Sequence, residues 1–237
     1  MARNVTLVKL LDDLRAEARL SLNPAHNSQA RDGQVKQLQR KQEWLWREFD
    51  WPHLRVTRDI PVAAGQRYYE LPEDIDLERI EKLEIFIDSV WVPLAPEINN
   101  EHYTAWNSDL DERSWPPRRW NLAEDDDLEI WPVPDTDAVA ATMEGYVRVT
   151  GIRRLRPLVN DDHRCDIDSN LIIGYLAAEM LAASGAKDAK VKQDEANALF
   201  MRLRGQLTVS RKFRLFGTGE PKLPRRPAVA FYRPPGT

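Results

Sequence analysis

One cysteine, Cys165, stands in 237 residues, so the chain can form no disulfide within itself, which suits a reducing cytoplasm. Histidine is also sparse. His26, His53, His102 and His163 are scattered and offer no zinc-ligand spacing. No apolar run approaches the ~18 residues that a membrane-spanning helix requires. Met1-Ala2-Arg3-Asn4 begins no apolar signal region, so secretion by that route is not expected. Glycine is too thinly spread to build a phosphate cradle. Gly217-Thr218-Gly219 lacks both the third glycine and the following helix, and reads as a turn. These absences point away from metal, nucleotide cofactor and membrane, and no internal repeat is found.

What is present is a globular composition. Hydrophobic residues make up 42% and charged residues 30% of the chain, with length enough for one large domain or two small ones. The net charge of −4 is unevenly spread. From Leu207 to Thr237, seven arginines and lysines face one glutamate, a net +6, which leaves −10 for the rest. An acidic body with a basic tail implies that the tail meets nucleic acid or an acidic partner.

The chain turns on Trp44-Leu45-Trp46-Arg47-Glu48-Phe49-Asp50-Trp51-Pro52-His53-Leu54. A helix cannot run through Trp51-Pro52, because proline lacks an N–H and drives the preceding residue out of the α region. Before this stop the pattern is helical. Leu7, Leu10, Leu11, Leu14 and Ala18 share one helix face, with Asn4 or Thr6 as candidate cap. Leu22 to Asn27 breaks that helix. Ser28 can cap a second, with Val35, Leu38, Leu45, Trp46 and Phe49 on its inner side. After the stop the pattern is strand-like. Val56, Ile60 and Val62 alternate with Thr57, Asp59 and Pro61, with Arg58 interrupting the apolar series; Ala64-Gly65 turns the chain, and Arg67 to Leu71 returns. Leu83, Ile85 and Ile87 turn at Asp88-Ser89 into Val90-Trp91-Val92, a pair that Pro93 and Pro96 end. Ile98 to Trp106 is a short helix or an ordered loop. Arg118–Leu122 and Leu128–Trp131 flank an acidic hairpin connection, and Met143–Gly151 is another strand. Six or seven short strands suggest a small sandwich or open barrel.

Helical grammar returns at Asp168. Leu171 to Ala183 is apolar nearly all round, as in a helix buried in a core or against other subunits. Ser184-Gly185 stops it. A last helix from about Lys187 has Val191, Leu199, Phe200, Leu203 and Leu207 as its inner face. The expected fold class is therefore α+β. A bundle of about four helices, two N-terminal (4–51) and two C-terminal (166–207), holds an inserted antiparallel β-rich region (52–160). An extended basic arm (208–237) follows.

Few residues suggest chemistry. His163-Arg164-Cys165 puts a thiol near an imidazole in sequence, yet a catalytic pair is normally adjacent in space rather than in sequence, so an incidental cysteine is the plainer reading. Glu124 to Asp127 lacks the alternating spacing of a calcium loop and fits a solvated hairpin tip. Eight tryptophans fit core closure at element ends better than a stacking platform. The tail interleaves Arg211, Arg214, Arg225 and Arg226 with Phe213, Phe216, Phe231 and Tyr232. Such a segment can bind nucleic acid, dock as an arm on another protein, or stay disordered. Docking is the favoured use.

A helix ending in Trp51-Pro52-His53-Leu54 leads to Tyr69-Glu70-Leu71-Pro72-Glu73-Asp74. The strand Leu128-Glu129-Ile130-Trp131-Pro132-Val133-Pro134-Asp135 and the alanine-rich helix at Ile172–Ala183 follow. In this order and punctuation, over roughly residues 5–207, the chain resembles the head-to-tail adaptors of tailed bacteriophages, of the tail tubular protein A and podoviral tail accessory kind. The resemblance implies a structural protein with no enzymatic role and no cofactor. It implies a homo-oligomeric, dodecameric ring beneath the portal, located at the virion neck after assembly in the host cytoplasm. Double-stranded DNA would pass through the lumen without specific binding, and a downstream tail or nozzle protein would attach below. The C-terminal arm would reach the portal, with Arg211, Phe213, Arg214, Phe216, Arg225, Arg226, Phe231 and Tyr232 as its contacts. An acidic body suits such a channel, since negative walls avoid gripping phosphates. The alternative is a cytoplasmic nucleic-acid-binding protein using the same tail. A hydrolase with β-layer carboxylates has no motif behind it.

Overall fold

The computed structural model describes residues 3–23, 30–107 and 110–207. Helix α1 (Leu7–Glu17) buries Leu7, Leu10, Leu11 and Leu14 along one stripe, as the leucine spacing predicts. Thr6 occupies its N-cap position, but no side chain caps the helix. Helix α2 (Arg31–Glu48) begins after Ala30, and Ser28 lies outside the described residues. Val35, Leu38 and Leu45 are buried, while Trp46 and Phe49 pack at the margin of the core. The helix stops at Glu48, earlier than Trp51-Pro52. Phe49 is already extended, and Pro52–Leu54 forms a short 3-10 helix.

Helix α4 (Ser169–Ala183) follows a short helix, α3 (Asn100–Ala105), which lies within the β-rich stretch. The Asp168 side chain accepts the Asn170 N–H and caps α4, and Gly185 takes φ 72° just beyond its end. Helix α5 (Ala189–Leu207) packs on α4, as do α1 and α2. This accounts for the apolar sides of α4 within one chain. Leu171, Ile172, Ile173, Leu176 and Ala177 are buried among the other helices, so burial against other subunits is not needed to explain that sequence. On α5, Ala196, Phe200 and Leu203 form the buried face, but Val191 is exposed. At ~100° per residue, Val191 lies ~140° around the helix from Ala196, out of phase with the stripe.

Among the described residues, eight strands form two four-stranded sheets. In the first, β1 (Arg55–Pro61), β3 (Ile75–Ile87), β4 (Val90–Pro93) and β8 (Tyr146–Arg153) run β1-β8-β3-β4, all antiparallel. The second contains β2 (Tyr68–Tyr69), β5 (Ala95–Pro96), β6 (Arg119–Leu122) and β7 (Leu128–Trp131) in the order β2-β7-β6-β5. Its β5–β6 pair is parallel. The expected return of Arg67–Leu71 onto the preceding strand does not occur, because β2 crosses to pair with β7. Between the sheets Tyr69, Leu128 and Ile130 meet Ile75, Leu83, Ile85, Val147 and Val149 in one core cluster, the packing of a small sandwich. The turn between β3 and β4 places Asp88 and Ser89 at φ 50° and 65°, a tight hairpin geometry. The basic arm at 208–237 lies outside the described residues.

Candidate functional site: the joint between helices and sheets

The end of α2 is built by residues far from it in sequence. A helix leaves its last carbonyls without internal partners. Trp51 turns back, and its indole Nε1 donates to Leu45 O at 2.9 Å. Arg79 of β3 donates to Trp46 O at 2.8 Å, lies 4.7 Å from the Trp46 ring centroid and pairs with Asp50. The Trp46 indole in turn donates to Arg153 O at 3.2 Å. These bonds explain the early stop: Phe49 goes extended so that Trp51 can fold under the last turn.

Arg79 reaches α2 because β3 bulges. Ile75 pairs with Arg153 and Ile80 with Gly151, so Asp76 to Arg79 stand opposite Ile152 alone. Such a bulge bends a strand and re-aims its side chains. Gly151 permits it, since a Cβ there would lie 3.0 Å from Arg79 O and 3.2 Å from Ile75 Cγ2.

Asp166 closes the other side of the joint. Its side chain is 1% exposed and accepts from Arg153 Nη2 at 2.6 Å and from Arg156 Nε at 2.8 Å. It also accepts the Arg156 backbone N–H at 2.8 Å. The Asp166 N–H donates to Gln42 of α2, and Gln39 donates to Leu158 O. His53 meets Asp166 O at 2.8 Å through Nε2. A carbonyl only accepts, so Nε2 carries the proton, and the lone pair on buried Nδ1 finds no partner among the described residues. Burial, chiefly, holds the His53 pKa below 6.5. Between α2, the β3 bulge and residues 154–158 lies an open groove of about 1010 Å³ with Trp46, Arg79, Arg154 and Leu155 among its lining.

A second polar centre pins the sandwich. Glu129 of β7 is buried, pairs with Arg67 at 2.6 Å and accepts from Tyr103 of α3 at 2.9 Å. The Arg67 guanidinium lies 4.9 Å from the Tyr103 centroid and 5.1 Å from that of Trp131. Burial is the largest cause lifting the Tyr103 phenol above its usual range.

Neither centre pairs a nucleophile with a base. Cys165 is fully buried, and burial pushes its thiol up. The His163 ring is turned to the Val159 and Asn160 N–H groups. Among the described residues no group of three or more His, Cys, Asp or Glu is placed to hold a metal. Nor is any helix there long and apolar enough to cross a membrane. The first centre ties the sheets to the helices through buried charge and tryptophan, and the second ties α3 to the sandwich.

The sequence-derived site residues, Arg211, Phe213, Arg214, Phe216, Arg225, Arg226, Phe231 and Tyr232, lie outside the described residues, which therefore leave them untested. The joint was visible in sequence only as the aromatic stretch before Pro52. Arg79, inside Glu78-Arg79-Ile80-Glu81-Lys82, looks like one more solvent-facing charge. Gly151, which closes the predicted strand Met143–Gly151, was the available hint of a bulge. Compared with known families, residues 9–221 match the model described as SU10 adaptor protein. No curated protein matches the chain.

Proposed function

The chain belongs to the SU10 adaptor protein family, phage structural adaptors, and from that premise we propose that it forms a homo-oligomeric ring, dodecameric, beneath the portal of a tailed phage. The ring extends the DNA channel and offers the platform to which the next tail component attaches. The family match carries this reading, because it runs from within α1 to beyond the end of α5 and so takes in both layers.

In this reading the helices form the ring wall and the sandwich faces outward or towards the tail. A joint stiffened by Arg79, Trp51 and Asp166 supports the assignment, since a platform must pass load from one layer to the other. The basic arm reaches the portal through Arg211, Phe213, Arg214, Phe216, Arg225, Arg226, Phe231 and Tyr232.

Negative-stain imaging of the chain, alone and mixed with the portal of the same phage, tests the proposal. Rings that stack on the portal are expected. A chain cut after Leu207 should stay folded, with its far-UV circular dichroism intact, and should no longer bind the portal. Unchanged portal binding by the shortened chain would sink the arm assignment. Monomers in both samples, together with DNA binding that falls steeply with salt, would favour the nucleic-acid reading instead.

A further inference from the structure

Two surfaces on different sides of α4 are complementary to each other. Where α2 meets α4, Trp44 stands out from the helix, 43% exposed despite being the bulkiest side-chain type. Tyr175 holds it edge-on at 5.4 Å, and Lys41 Nζ lies 4.9 Å from its centroid. Beside it on α2, Lys36 and Arg40 are exposed and have no acidic partner among the described residues. The acids nearby are engaged, Glu43 by Arg47 and Glu179 by Lys41. This face is an aromatic knob with a basic border.

On the other side, α1, α4 and α5 together line an open groove of about 440 Å³. Its floor is apolar, with Ile173, Gly174, Ala196 and Leu199. Gly174 lets α5 lie close on α4, since a Cβ there would already touch Ala196 Cβ at 3.4 Å. The rim carries Asp13, Glu17 and Glu195 against one base, Lys192, which pairs with both glutamates. At ~100° per residue along α4, the groove floor and the knob's base at Leu176 and Glu179 point ~140° apart.

We infer that these are the two halves of a head-to-tail contact between copies of this chain: Trp44 and Arg40 of one copy seat in the α1–α5 groove of the next. The inference rests on the ring reading above and names the surfaces that would build it. A basic knob meets an acidic rim, and an exposed indole gains an apolar floor. Tryptophan and arginine are the residues that most often dominate such contacts. The two faces differ and lie on different sides of one helix. Their union is therefore heterologous and propagates from copy to copy rather than closing as a pair.

Cysteine cross-linking of the full chain tests this. Cys165 is buried and its thiol pushed up, so cysteines introduced on the surface react alone. Under mild oxidation, Arg40→Cys/Glu195→Cys should give a ladder of cross-linked oligomers reaching the size of the ring. Each single variant should give none, and the two mixed should give dimers. Arg40→Glu should weaken self-association at least tenfold, as should Glu17→Lys/Glu195→Lys, and the three changes together in one chain should restore it. Rings seen by imaging with no cross-link in the double-cysteine variant would overturn this contact and leave the ring reading standing. A wild-type chain that never associates, alone or with the portal, would overturn both.

Discussion

Trp51 should be the most sensitive single position in the helical layer. It is 1% exposed, with Phe49 at 5.2 Å and Phe200 at 6.4 Å between ring centroids. A large aromatic buries ~150–250 Å², worth roughly 4–6 kcal/mol at ~25 cal/mol per Å². A denatured chain that already buries part of that area lowers the figure to about 3–5 kcal/mol, which agrees with measured large-to-small substitutions. Trp51→Ala should therefore cost about 3–5 kcal/mol. It also uncaps Leu45 O, adding about 1 kcal/mol. Trp51→Phe keeps most of the area and loses the N–H bond, and should cost about 1–2 kcal/mol. Urea unfolding followed by far-UV circular dichroism, at a concentration where the wild type is monomeric, reads both. The midpoint for Trp51→Ala should fall by roughly 1–2 M with the slope unchanged. A loss below about 1 kcal/mol would mean that the end of α2 does not depend on this indole, and the account of the joint would fail.

Three further outcomes follow from the geometry. Gly151→Ala forces its Cβ against Arg79 O at 3.0 Å and should cost about 1–3 kcal/mol, seen as a Tm lower by about 2–12 °C; an unchanged Tm would show that the bulge yields freely. Glu129→Ala strands Arg67, whose side chain is 29% exposed, and should cost about 2–3 kcal/mol, below the full range for buried pairs, whereas Glu129→Gln keeps an acceptor for Tyr103 and should cost less. His53 titrates below 6.5 in the folded chain, so the unfolded chain binds the extra proton first as pH falls. Its contribution is complete above pH 6.5 and is lost as pH drops through the folded value. The stability difference between wild type and His53→Gln should therefore shrink from pH 7.5 to pH 5, and a difference independent of pH would refute the buried neutral imidazole.

The helices were largely legible because their signal is local. Leu7, Leu10, Leu11 and Leu14 state a period of 3.6 within two turns, and Asp168 and Gly185 mark the ends of α4 by capping chemistry. Val191 misled because an apolar residue near a stripe need not lie in phase with it. Strands β4, β6 and β7 and the second half of β3 could be read from alternation and turn residues, while Ile75–Lys82 carried no such alternation. Their partners could not, since Tyr68-Tyr69 is equally good as a return strand on β1 or as an edge strand on β7. The choice depends on which sheet offers Tyr69 a core to enter. The joint was half legible. Trp51-Pro52 announced a change of layer, while Arg79, Arg153 and Asp166 reach it from 29 to 116 positions along the chain from Asp50.

By itself the sequence determined the four long helices and most of the strands, that the charge is split between an acidic body and a basic end, and the kinship that names the chain's class. Those properties depend on side-chain period, backbone restriction and order along the chain, all of which survive without a third dimension. Only the tertiary structure decided how the two sheets share their strands, that α4 is clothed by its own chain, and that a glycine in β8 lets an arginine in β3 close the end of α2. Each of those depends on what stands opposite a residue, and a residue's opposite is chosen by the packing of the whole.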